Sequence, residues 1–169
     1  MDLKEYAKYG LRRSRWFTSS ILKSLEGDDW FFQPNPECHH ALWIVGHLGL
    51  ADNHFASTFR PDADRKPNGW ANLFWFGSEL KDDRSCYPSI DDVRSFFDER
   101  REFLIDLIDD LTAEEISAAA PPPDAMNPIA GAPNMGQLLI FASTHENLHA
   151  GQLTTIHRML GNPPLFSPT

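Results

Sequence analysis

The sequence predicts an all-α fold, a four-helix bundle, on three observations. Apolar residues recur near a 3.6-residue period in four long segments, capping residues stand where several of those segments begin, and no strand-like alternation persists anywhere. Amphipathic helices joined by irregular loops bury their apolar faces against one another. A chain of 169 residues fits a single domain, 1–169, with a substantial core.

The first helix is read over about residues 2–25, where Leu3, Ala7, Leu11, Phe17, Ile21 and Leu25 form the stripe and Gly27-Asp28-Asp29 ends it. The second is placed at residues 36–60, with Asn35 as N-cap and Pro36 in the first helical position. It carries Leu42, Trp43, Val45, Leu48, Leu50 and Phe55, and Pro61 stops it. A long connection follows at about 61–88, polar first and then aromatic through Trp70, Phe74, Trp75 and Phe76. Connections of that length usually have a function or structure of their own. Ser89 and Asp92 open the third helix, in which Val93, Phe96, Phe97, Arg100, Phe103, Leu104, Leu107 and Leu111 recur. The second long connection spans 112–133. Thr112 and Glu115 make a capping-box pattern for a short extra turn there. Residues 121–133, with five prolines and one glycine, read as loop. Asn134 and Gln137 then start the last helix, which runs to about Leu160 before Gly161 and Pro163.

The formal net charge of −9 argues against a nucleic-acid partner, since that binding rests on clustered Lys and Arg. The one short basic cluster, Arg12, Arg13 and Arg15, reads as a solvated helix face. No stretch approaches the roughly 18–20 apolar residues that cross a bilayer, and the N-terminus lacks the apolar core of a signal peptide. Cys38 and Cys86 form neither a C-x-x-C motif nor a dense framework, so a reducing, cytoplasmic setting is expected.

The chemistry concentrates in His145-Glu146-Asn147-Leu148-His149-Ala150-Gly151-Gln152. Two histidines four residues apart point the same way on a helix, about one turn apart, within reach of one metal ion. A third ligand is needed. His40, His47 and His54 lie along one face of the second helix, with neighbours about 10.5 Å apart along the axis, so one ion takes only one of them. His47 sits near the middle of its predicted helix, as the pair does in the last, and is the best-placed partner. His39 and His40 are expected to be exposed. His157, in the last turn, suits the helix dipole without a functional role.

His145-Glu146-x-x-His149 also matches the zincin motif H-E-x-x-H, whose glutamate is a general base. The extended form requires glycine at 152 and histidine at 155, where the chain has Gln152 and Thr155. The other form needs a downstream acidic ligand, and Asn147 to Thr169 contains no Asp or Glu. A protease reading therefore lacks its third ligand.

The context Leu42-Trp43-x-x-Gly46-His47-Leu48, followed about 100 residues later by His145-x-x-x-His149-x-Gly151-Gln152, resembles the DinB/YfiT-like superfamily over nearly the whole chain. The resemblance implies a four-helix bundle of that type. It implies a divalent metal, zinc or nickel, on His47, His145 and His149. It also implies transfer of a small-molecule thiol, such as bacillithiol or mycothiol, to an electrophilic substrate. Relatives are often homodimers, which the aromatic run also favours. Alternative readings are a non-catalytic metal-binding stress-response protein and a metal-dependent hydrolase. Three neutral imidazoles leave a coordination position open, as catalytic zinc sites do. Occupancy is expected to fall as the pH drops towards the imidazole value of about 6.5 or below. Trp70 to Phe76 are read as a pocket wall for an apolar electrophile, or as a cover for the end of the helices. Gln152 shares the face of His145 and is a candidate to orient a ligand or water. Gly151 is read as a point of close helix approach. Glu146, rotated about 100° from His145 and expected to face solvent, is a candidate base.

Overall fold

The computed structural model describes residues 2–122 and 133–165, and it is all-helical. Four long helices, α1 (Leu3–Leu22), α2 (Ala41–Phe59), α4 (Ile90–Asp110) and α6 (Met135–Met159), are supplemented by the short α3 (Ala71–Phe74) and α5 (Ala113–Ser117). Among the described residues the only extended pairing is an isolated antiparallel bridge between Ala119 and Asn134. None of the described helices is long and apolar enough to cross a membrane. Most of the proline-rich 121–133 segment lies outside the described residues.

Side-chain pairings give the relative directions. Ser14 meets Glu146 and Ser24 meets His157, so α1 and α6 run parallel. Gly49 abuts Phe96 and Phe97, and Asp52 binds Arg101, so α2 and α4 also run parallel. His47 faces His149 while Phe55 faces Phe141, which sets α2 antiparallel to α6. Helix α2 is buried on nearly every side, as an almost uniformly apolar helix must be. Its N-terminal half belongs to a core cluster with Phe74, Phe97 and Leu153, and its C-terminal half to a second cluster with Leu11, Leu104 and Leu139.

The caps explain where the helices start. The hydroxyl of Ser89 accepts from the Asp92 N–H, and Asn134 Oδ1 accepts from the Gln137 N–H. Thr112 and Glu115 close a reciprocal capping box that produces α5, as the sequence predicts. Gly161, at φ 85°, ends α6 in the left-handed conformation that glycine adopts without strain.

The second helix departs from the sequence reading. Asn35 and Pro36 belong to a turn, in which Asn35 Oδ1 accepts from the Glu37 N–H and the Asn35 carbonyl from the Cys38 N–H. The true N-cap is His40, whose Nδ1 accepts from the Trp43 N–H at 3.1 Å. His40 is therefore buried, against the expected exposure, between the rings of Phe31 and Tyr87. Helix α1 ends at Leu22, so Leu25 packs into the core from the turn that follows. The 61–88 connection contains turns at Pro61–Ala63 and Arg84–Cys86 as well as α3.

A buried charge cluster crosses the centre of the molecule, with one residue from each long helix. Arg15 bonds Glu146 and Asp52, each at 2.9 Å. Arg101 holds both oxygens of Asp52 at 2.8 and 2.9 Å and reaches Glu146 at 2.6 Å. Arg15 also lies over the Phe97 ring, 3.2 Å from its centroid. Arg15 is thus no part of a solvated face. Phe103, expected in the core, is exposed, and its ring lies under the guanidinium of the buried Arg100.

Candidate metal centre

One turn of α6 presents His145 and His149 to the face of α2 that carries His47. The Nε2 atoms converge: His145 to His47 is 3.2 Å, and His145 to His149 is 3.1 Å. Ligand nitrogens held at ~2.0–2.1 Å by a tetrahedral ion lie about 3.3 Å apart, so the three rings are close enough together to hold one metal ion. Protonation states agree. The Nδ1 of His47 faces the Phe74 carbonyl at 2.9 Å, which only accepts, so Nδ1 carries the proton and Nε2 presents a lone pair. The Nδ1 of His149 likewise donates to Gln152 Oε1 at 2.8 Å. Two bare nitrogens therefore face a third, and hydrogen bonding alone leaves that concentration of lone pairs only partly satisfied. Such fixed tautomers are what a cation-binding histidine set requires.

Gly46 makes part of this geometry possible. A Cβ there would fall 2.6 Å from the Phe74 ring, so only glycine lets α3 lie against α2 and bring the Phe74 carbonyl to His47. The close approach expected at Gly151 is absent, because nothing lies within 4 Å of its Cβ position. Gln152 orients His149 from the surface side of α6. His157 instead ties α6 to its surroundings through Ser24 and the Pro163 carbonyl.

Glu146 corrects a further expectation. It is 0% exposed rather than facing solvent, and Arg15, Arg101 and Ser14 occupy its oxygens. Burial opposes its charged form, but the two guanidinium groups outweigh burial and hold its pKa below the ordinary carboxylate value. It serves the packing beneath the histidines as an ionised anchor.

The triad opens into a cavity of about 440 Å3. Trp43 stacks at 4.9 Å and 11° on the His47 ring, and His39 stacks on the outer face of Trp43 at 3.5 Å. Phe55, Trp75, Phe76 and Phe141 supply further walls, with His54 and Leu148 among the remaining lining residues. The aromatic connection is therefore divided in role: Trp70 and Phe74 pack on the core, while Trp75 and Phe76 border the cavity. His39 and His54, which carry no role in the sequence reading, both line it. His54 falls two turns beyond His47 on the same helix face, and that spacing is its signal.

Burial, reinforced by the neighbouring rings, lowers His47 to about 4 and His145 to about 2. Burial also brings His40 to about 4. These groups are neutral at pH 7, so a metal entering the site displaces few protons, and occupancy should persist further into acid than an exposed imidazole allows. In the metal-free protein these buried histidines favour the folded state only while they stay neutral. Above the ordinary value of 6.5, folded and unfolded chains both hold neutral His40 and His47; below it, only the unfolded chain gains protons. Through His40 and His47 stability should fall from about pH 6.5 to about pH 4, each contributing on the order of 2–3 kcal/mol, and His145 extends the fall below pH 4. Urea midpoints of metal-free protein across this range test the expectation, and a flat profile would contradict it.

The sequence model of the DinB superfamily matches residues 11–153, a span that contains all three histidines. No curated protein matches the chain.

Proposed function

The chain belongs to the DinB superfamily, and on that basis we propose that it is a metal-dependent enzyme transferring a low-molecular-weight thiol to an electrophilic small molecule. The observation that carries this reading is the convergence of His47, His145 and His149 at the floor of an apolar cavity. A structural metal site is closed by four protein ligands, whereas here three histidines face open volume. A divalent ion, zinc or nickel, would supply a Lewis acid that lowers the pKa of a thiol. The four long helices are read as the bundle of this superfamily, with the two long connections at 61–88 and 112–133.

The chain's residues have defined tasks in this reaction. Phe74 and Gln152 hold the tautomers of His47 and His149, keeping the Nε2 atoms available. Trp43, Trp75 and Phe141 exclude water and hold the electrophile over the histidines. The thiol sulfur forms a bond to the electrophilic carbon, the leaving group departs with its bonding pair, and the thiol proton passes to solvent. A conjugation assay with 1-chloro-2,4-dinitrobenzene and a panel of low-molecular-weight thiols tests the reading. Metal-loaded protein should accelerate thiol consumption, and His149→Ala should not. No acceleration with any thiol would refute it, and turnover without thiol would favour a hydrolase.

A homodimer belongs to the same proposal. Tyr6, Tyr9 and Trp16 are exposed along one side of α1, and Phe76 is exposed beside the cavity. Light scattering at micromolar concentration should give twice the chain mass, and a monomer would remove this part of the reading.

A further inference from the structure

The cavity above the histidines combines strong apolar character with an absence of formal charge. Among its described lining residues there is no Lys, Arg, Asp or Glu, and the polar groups besides the triad are His39, His54, Gln152 and the indole N–H groups of Trp43 and Trp75. Its walls are largely ring faces and edges. The indole of Trp43 lies within 11° of the His47 plane, and Phe141 lies within 24° of the His145 plane. Past His39 the surface opens into an adjoining cleft lined by Glu37, Glu79 and Asp82 with Lys81. An anion approaching from that side meets a surplus of negative charge. Against the walls above the histidines it would lose its hydration and find no charged side chain to replace it.

From this distribution we propose that the side-chain walls of the cavity, apart from any ion held by the histidines, favour a neutral, flat, apolar molecule as the electrophile over an anion of the same shape, carboxylated compounds included. The inference rests on the reading of this cavity as the reaction site and narrows its substrate class. Flatness follows from the ring walls, which gain most from a partner that stacks or packs edge-on. The volume, about 440 Å3, suits a one- or two-ring molecule with room left beside the histidines for a small nucleophile. Rejection of anions is specificity by exclusion, in which the wrong ligand leaves its charge unpaired.

The test is a binding comparison on the full chain without metal, so that a carboxylate has no ion to ligate. The probes are 2-naphthylmethanol and 2-naphthoate, alike in size and shape and different in charge, titrated at pH 7.5 by calorimetry. The neutral probe should bind at least tenfold more tightly, and Trp75→Ala should weaken it severalfold. Should that variant fold poorly, Phe76→Ala at the exposed rim should weaken it in the same direction. Equal or tighter binding of the naphthoate overturns the proposal. So does neutral-probe binding that neither substitution changes, because the probe then sits elsewhere. Neither readout depends on metal or turnover. A failed conjugation assay with a positive binding result would thus refute the thiol-transfer reading and leave the selectivity of the cavity standing.

Discussion

Replacing Arg101 by methionine is expected to lower the unfolding free energy by about 3–5 kcal/mol, the range for removing one partner of a buried ion pair. Arg101 is 1% exposed, and its guanidinium touches Asp52, Glu146, Ser14 and the Leu11 carbonyl. Methionine matches much of its volume, so the loss comes from charge rather than from a void. Two carboxylates from α2 and α6 would then share Arg15 alone, and one would be left short of a counter-charge in the core. The effect should reach the histidines. Glu146 adjoins His145 in sequence, and Asp52 lies little more than a turn from His47, so the cluster holds α6 in register against α2 where the triad meets. Urea denaturation of metal-free protein measures the stability term. A loss below about 1 kcal/mol, the level of a surface pair, would show that the cluster is solvated and not a buried junction. The double variant Arg101→Met with Glu146→Gln should recover part of the loss, because it removes one of the stranded charges.

That junction was not legible in the sequence, and the reason is physical. Arg15 sits in a run with Arg12 and Arg13, Glu146 sits between two histidines, Asp52 is the one Asp, Glu, Lys or Arg of α2, and Arg101 lies within the charged run 98–102 of α4. Each in isolation reads as a solvated charge, because the signal is a four-body match across helices far apart in the chain. The capping of α2 by His40 was hidden for a related reason. Asn35-Pro36 carries a strong local start signal that a turn uses equally well, and histidine is an uncommon cap. The caps at Ser89, Thr112 and Asn134 were legible because the cap and its partner lie three residues apart. The histidine cluster was legible in the same way. The four-residue spacing of His145 and His149 fixes a shared face, and only one member of the His40, His47, His54 row can meet it. The supports of that cluster were less so. The Phe74 carbonyl depends on Gly46 admitting α3, a contact with no sequence period, although Gln152 follows His149 at a readable helical distance.

Loss of the His149 ring should have the largest effect on metal binding, and a graded series of substitutions separates its role from packing. His149→Ala removes one of three converging nitrogens and should cut affinity for a zinc-like ion by more than about 100-fold, beyond the ~10–100-fold typical of a supporting residue. Gln152→Ala leaves all three nitrogens in place and frees only the Nδ1 partner of His149, so its loss should fall within that ~10–100-fold range. His157→Ala breaks the link to Ser24 and the Pro163 carbonyl at the end of α6 and should lower thermal stability with little change in metal affinity. The ordering matters because all three residues lie on one helix: general damage to α6 would weaken binding in all three variants alike, whereas coordination weakens it in proportion to distance from the ion. Competition against a chromogenic chelator, on protein prepared without a histidine tag, measures each affinity. A His149→Ala protein that keeps its full metal content, or a His157→Ala protein that loses as much affinity, would show that the three rings are packed together without a shared ligand.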